Sequence, residues 1–168
     1  MANITVKLDT IEMMIFFWES VSQREKISDV YIHEIASHKD MKALYDSKFD
    51  QRSVVTVLSA ITNRELLNTA SKRERKFWSQ NMWMIDDKSA MKAMIVPIKT
   101  MNLDHLKDRL IKDVEVIFVP GTIEEFIVDG NKLYINFFRI IASFEEPYNM
   151  TIAGQNFNEY IEEKVLGL

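Results

Sequence analysis

The chain has 168 residues, no cysteine and a formal net charge of −4. The length fits a single domain over residues 1–168. The lack of cysteine excludes disulfides, thiolate nucleophiles and cysteine-type zinc sites, and it favours a reducing, cytoplasmic setting. An acidic balance argues against a general nucleic-acid-binding surface, and no apolar stretch approaches the ~20 residues of a membrane span. We therefore expect a cytoplasmic protein that binds neither nucleic acid nor membranes.

The N-terminal part of the chain reads as a strand followed by a helix. Alternating apolar and polar residues predict a short strand over residues 3–8. Asp9 or Thr10 then caps a helix whose apolar residues recur at helical spacing. Phe16 and Phe17 widen this apolar face, so we expect most of the helix to be buried.

Several helical segments follow. The pattern over 28–48, starting at Ser28, leaves open whether it forms one helix or two. A third helix is predicted over 53–67. Ser71-Lys-Arg-Glu74 forms a capping-box pattern before a further helix. Because basic residues are unfavourable at a helix start, a continuous helix over 53–84 is the competing interpretation.

Three more helices are predicted towards the C-terminus. Asp86 or Asp87 begins the first, and Pro97 is expected near its end because proline interrupts helix interiors. Asn102 caps a short second one. The last is predicted over 156–166, where apolar residues recur at helical spacing.

Between these helices the periodicity changes to that of β-structure. Val114–Val119 is apolar on both faces, which indicates an interior strand. Asp129-Gly-Asn131, between apolar segments over 124–128 and 132–137, predicts a hairpin. The register that keeps apolar side chains on one face pairs Val128 with Leu133 and Phe126 with Ile135. We therefore expect a mostly helical α+β fold in which the N-terminal strand, this strand and the hairpin form a small sheet.

The histidines are the most tempting metal ligands. Zinc peptidases place two histidines four residues apart on one helix face. In His33-Glu-Ile-Ala-Ser-His38 the spacing is five, so the two imidazoles diverge by about 140° on a helix. Surface histidines are the favoured interpretation, and zinc at His33 and His38 is the alternative. His105 stands alone, and we expect a solvated side chain there, with a catalytic role as the alternative.

Other charged motifs favour solvated surfaces. Neighbouring acids such as Glu124-Glu125 and Glu162-Glu163 point apart on a strand or helix, so they do not form a catalytic pair. The basic run Lys72-Arg-Glu-Arg-Lys76 fits an exposed helix face better than a nucleic-acid site. The sequence contains no Gly-x-Gly-x-x-Gly, no Gly-x-x-x-x-Gly-Lys-Ser/Thr, no Gly-x-Ser-x-Gly and no His-Glu-x-x-His motif.

Short strings spread over about residues 1–140 carry a family resemblance. They are Ile4-Thr-Val-Lys-Leu-Asp9, Asn63-Arg-Glu-Leu-Leu67, Arg75-Lys-Phe-Trp78, Ile117-Phe-Val-Pro-Gly121 and Asp129-Gly-Asn-Lys-Leu-Tyr-Ile-Asn-Phe137. In order and type they resemble the N-terminal part of zinc-dependent peptidases of the gluzincin type. The resemblance implies zinc ligands and a catalytic glutamate on a helix after the hairpin. The corresponding segment, 149–168, contains no histidine, so no functional residue is carried over.

The first functional hypothesis is therefore a non-catalytic relative of such a peptidase, truncated, split or degenerate, that binds a protein or peptide. Its binding residues would be Glu124, Phe126 and Val128, on an edge strand to which an extended peptide adds. The alternative is a metal-dependent hydrolase with a nonstandard or partner-completed site built from the three histidines and nearby acids. A third hypothesis is a regulatory or immunity-type partner that uses an exposed apolar patch.

Overall fold

A computed structural model describes residues 2–67, 71–121, 123–141 and 150–168. It is a mostly helical α+β structure, as predicted. Backbone contacts divide the chain into two compact units. The sheet unit comprises Met1–Leu8, Ser89–Phe118 and Ile123–Leu168, and the helical unit comprises Asp9–Lys88 and Val119–Thr122. A single domain over residues 1–168 stays a prediction.

The described part of the helical unit contains four α-helices and a short 3₁₀ helix. They are α1 (Asp9–Ser22), α2 (Asp29–Ser37), the 3₁₀ helix Lys39–Leu44, α3 (Gln51–Asn63) and α4 (Lys72–Asp86). Their apolar faces form a core in which Trp18 and Phe77 are fully buried. Trp18 donates its indole N–H to the Asn81 side-chain oxygen at 2.7 Å. The Asn81 amide donates to the Phe77 carbonyl at 2.8 Å, so this buried polar group is satisfied on both sides.

Helix ends follow the capping residues that the sequence offers. The segment over 28–48 forms two helices, because α2 ends at Ser37 and a 3₁₀ helix begins at Lys39. The predicted capping box at α4 is confirmed: the Ser71 hydroxyl and the Glu74 carboxylate each accept the other's backbone N–H at 3.2 Å. The continuous helix over 53–84 is wrong. α3 ends at Asn63, because Arg64 adopts a left-handed conformation with φ of 56°.

Phe16 departs from the expected burial of α1. Its side chain is 53% exposed, whereas Phe17 and Trp18 are fully buried. The ring lies 5.1 Å from that of Tyr31, which shields one side of it. The apolar arc of α1 is wider than its buried face, so Phe16 falls at the boundary with solvent.

The sheet unit is built around a four-stranded sheet. Its strands are β1 (Ile4–Lys7), β2 (Val114–Val119), β3 (Phe126–Asp129) and β4 (Lys132–Asn136), in the order β1-β2-β4-β3. β1 pairs with β2 in parallel. The interior position predicted for β2 is confirmed, since β2 has a neighbour on each side. β3 is an edge strand.

The predicted hairpin register is confirmed. β3 and β4 are antiparallel, with Val128 opposite Leu133 and Phe126 opposite Ile135. Gly130 takes a φ of 60° in the turn, a conformation that costs glycine little. Leu133 and Ile135 are fully buried, and this register places them on the same face of the hairpin as Val128 and Phe126.

The described part of the sheet unit also contains a small second sheet, two α-helices and a 3₁₀ helix between them. The strands are β5 (Ile140–Ile141), β6 (Thr151–Ile152) and β7 (Gln155–Asn156), and the helices are α5 (Lys88–Thr100), a 3₁₀ helix (Asp104–Arg109) and α6 (Phe157–Leu166). Pro97 lies in the last turn of α5, as expected. The short helix after Asn102 is 3₁₀, and Asn102 accepts the Asp104 N–H at 2.9 Å. Within the described ranges no helix has both the length and the apolar character that crossing a bilayer requires.

Candidate functional site

The outer edge of β3 is the first candidate site. The Asn136 N–H donates to the Glu125 carbonyl at 3.0 Å, so these two residues belong to a hydrogen-bonded pair of the antiparallel ladder. Such pairs alternate with non-hydrogen-bonded pairs. Phe126 and Val128 therefore direct their backbone N–H and C=O groups away from β4, towards the edge of the sheet.

The side chains of β3 differ in their exposure. Val128 is 50% exposed, whereas Phe126 is half-buried. The Phe126 ring meets the Tyr160 ring edge to face at 6.4 Å, and the Lys164 ammonium lies 4.6 Å from its centre. Of the three predicted binding residues, Phe126 and Val128 lie in β3, and the exposed Glu124 precedes the strand. α6 supports Phe126 and leaves Val128 to solvent.

Acidic side chains gather at the start of β3. Exposed Glu124 and half-buried Glu125 lead into the strand. Burial, together with the charges of Glu125 and Glu163, raises the pKa of the Tyr160 phenol to about 12. At the other end of the strand, Asp129 lies opposite Lys132, which offsets its charge. The two carboxylates without a cross-strand lysine are therefore those of Glu124 and Glu125, at the start of the strand.

His38 is the centre of a second candidate site, in the helical unit. It ends α2 and caps the following 3₁₀ helix, where its Nδ1 accepts the Asp40 N–H at 3.1 Å. Its Nε2 lies 3.9 Å from Asp9 Oδ2, and its Nδ1 lies 3.9 Å from Asp40 Oδ2. One donor atom from each of these three side chains lies within 4.8 Å of the others.

His33 is not a member of this group. It is exposed on α2, and the helix ends between it and His38. The potential metal ligands next to His38 are therefore the carboxylates of Asp9 and Asp40, and not the imidazole of His33. Sequence reasoning missed Asp9 and Asp40: the first was interpreted only as a helix cap, and the second carries no motif.

His105 borders a cleft of 350 Å³ in the sheet unit. Its Nε2 lies 2.5 Å from Glu162 Oε1, and both side chains line the cleft with Thr100, Asn102 and Asn158. A carboxylate that orients an imidazole is one element of general base catalysis. The pair was missed because the two residues are 57 positions apart in the chain. The His105 side chain is 57% exposed, which is typical of a surface ion pair.

Comparisons with known proteins give no relative from which a site could be inferred. The chain matches no protein-family model, no curated protein and no solved structure. The resemblance to gluzincin-type peptidases stays a prediction.

Proposed function

We propose that this chain is a non-catalytic interaction domain that binds an extended peptide along the outer edge of β3. The observation that carries the proposal is the edge position of β3, with the N–H and C=O groups of Phe126 and Val128 directed outwards. An incoming strand continues the hydrogen-bond ladder of such an edge, so the main chain supplies much of the affinity. The proposal places the protein in the cytoplasm.

The side chains around the edge define the peptide. Exposed Val128 offers an apolar contact to one face of an added strand. Glu124 and Glu125 lie at the start of β3 and favour a basic residue beside them. We therefore expect an extended peptide with alternating apolar side chains and a lysine or arginine at the end that meets this acidic pair.

The first test measures peptide binding by fluorescence polarisation. The probe is a labelled synthetic peptide of about six alternating valine and threonine residues with lysines at both ends. We expect a dissociation constant on the order of 100 µM, since the contact is short. Alternate backbone N–H groups of an added strand face β3. Methylating those nitrogens of the peptide should abolish binding, because it removes the N–H groups that pair with β3.

A protein variant tests the same edge. Val128→Pro removes an outward N–H without removing a bond to β4, because Val128 belongs to a non-hydrogen-bonded pair. We expect binding at least about ten-fold weaker, whereas the control Val128→Thr, which keeps the N–H and a β-branched side chain, should bind within about two-fold of the parent chain. If Val128→Pro folds and binds like the control, strand addition at β3 is wrong.

The alternative, a metal-dependent hydrolase with a nonstandard or partner-completed site, stays a prediction. It would need a metal at the histidines and a hydrolysable substrate. The His105–Glu162 pair supplies an oriented imidazole, but its histidine is 57% exposed, as in a surface ion pair. The interaction domain is therefore the better supported function.

A further inference from the structure

We propose that Asp9, His38 and Asp40 form a binding site for one divalent transition-metal ion of the Zn²⁺ type. The site lies in the helical unit, apart in the sequence from the edge strand of the proposed function. Two independent observations support it: the convergence of three donor groups, and a buried carboxylate oxygen that lacks a hydrogen-bond partner.

The buried carboxylate is that of Asp40. The residue is only 3% exposed, and its Oδ2 accepts no hydrogen bond from the described residues. A buried carboxylate without a partner is costly, so such groups are usually paired or bound to a cation. Nδ1 of His38 lies 3.9 Å from this oxygen. An ion beside this oxygen would give it the partner that it lacks.

The tautomer of His38 is compatible with this arrangement. Nδ1 accepts the Asp40 backbone N–H, so it carries the ring's lone pair and the ring proton lies on Nε2. Ligands at ~2.1 Å from a tetrahedral Zn²⁺ lie about 3.4 Å from each other. Nδ1 and Asp40 Oδ2 thus need to approach by only about half an ångström. The ion would replace the Asp40 N–H as the partner of Nδ1.

Asp9 supplies the third donor. Its Oδ2 lies 3.9 Å from Nε2 of His38, on the other side of the ring from Nδ1, and its side chain is 57% exposed at the first residue of α1. Because the side chain is exposed, it can change rotamer and bring a carboxylate oxygen to the ion. One donor atom of each of the three side chains already lies within 4.8 Å of the others. The Asp9 carboxylate also brings the ligand charge to −2, which neutralises a divalent ion.

The donor set selects the class of metal. Imidazole nitrogen together with carboxylate oxygens suits Zn²⁺, Co²⁺ and related ions. Ca²⁺ takes six to eight oxygen ligands, and Mg²⁺ binds through one or two carboxylates while keeping most of its water. We therefore expect Zn²⁺ and Co²⁺ to bind through His38, and Mg²⁺ and Ca²⁺ to bind much more weakly.

The experiment is a titration of the chelator-treated full chain with Zn²⁺ by calorimetry and with Co²⁺ by visible absorption. We expect one ion per chain and, for Co²⁺, the intense bands of a tetrahedral complex. His38→Ala should weaken binding by at least about ten-fold, and Asp40→Asn should do the same with a side chain of nearly unchanged shape. His33→Ala is the matched control, since it removes an exposed histidine of α2 outside the group.

Thermal unfolding provides a second measurement. At the same Zn²⁺ concentration, the midpoint of the parent chain and of His33→Ala should rise equally, and that of His38→Ala should rise less. If Asp40→Asn fails to fold, the comparison of His38→Ala with His33→Ala still decides the matter. Equal binding by these two variants, or the absence of saturable binding by the parent chain, overturns the proposal.

Discussion

Buried polar side chains decide much of the chemistry of this protein at the scale of single residues. Asn81 is fully buried in α4, where it accepts the Trp18 N–H and donates to the Phe77 carbonyl. Helical periodicity places Trp18 and Phe77 in the core but gives no reason to bury Asn81. The indole N–H supplies that reason, because a tryptophan buried this deeply needs an acceptor.

Replacing Asn81 tests this account. Asn81→Ala removes the acceptor of the Trp18 N–H and opens a cavity, while the Phe77 carbonyl keeps its bond within the helix. We expect the free energy of unfolding to fall by about 2–3 kcal/mol. Urea denaturation measures it, with Asn63→Ala, an exposed asparagine at the end of α3, as the control. A loss no larger than that of the control would mean that the buried hydrogen bonds contribute little.

At the scale of elements, the caps and turns define the boundaries and the apolar pattern defines the faces. The capping box at Ser71 and Glu74 starts α4, although basic residues occupy its first turn. The two reciprocal hydrogen bonds at the cap and the ion pair of Arg73 with Asp46 together offset the unfavourable interaction of Lys72 and Arg73 with the helix dipole. Arg64 stops α3 by turning left-handed, which periodicity does not foresee.

The cap of α4 can be removed by a single substitution. Ser71→Ala deletes the acceptor of the Glu74 N–H, and we expect it to destabilise the protein by about 1 kcal/mol. The control is Ser79→Ala, at an exposed position inside the same helix, where alanine's helix propensity should leave stability unchanged or slightly higher. Chemical denaturation of both variants measures the difference. Equal effects would show that Ser71 does not act as a cap.

At the scale of the whole molecule, its buried phenols link stability to alkaline pH. Burial is the main cause that raises the pKa of Tyr31, of Tyr45 and of Tyr160, the last to about 12. The unfolded phenol titrates near 10, so the unfolded chain loses its phenolic protons first as pH rises. Stability from these groups is thus complete below about pH 10 and is lost as pH rises towards the folded pKa values.

Thermal unfolding between about pH 8 and pH 12 should therefore show a midpoint that declines above about pH 10. Tyr160→Phe should make this decline shallower because it removes one of the titrating groups. The substitution should leave the free energy of unfolding at neutral pH unchanged, since the Tyr160 hydroxyl has no hydrogen-bond partner among the described residues.

Tyr45→Phe is the comparison, because the Tyr45 hydroxyl donates to the Ala36 carbonyl at 2.5 Å. We expect it to lose about 1 kcal/mol at neutral pH. An unchanged alkaline slope in Tyr160→Phe would contradict the assignment.

The sequence by itself determined what depends on neighbours in the chain. The interior strand β2, the hairpin with Val128 opposite Leu133 and the cap at Ser71 all follow from periodicity and turn chemistry acting over a few residues. Tertiary structure alone decided which distant side chains meet. Trp18 and Asn81 are 63 positions apart, and His105 and Glu162 are 57 apart. Such pairs form because packing brings separate elements together and buried polar groups then require partners, and no local pattern encodes that requirement.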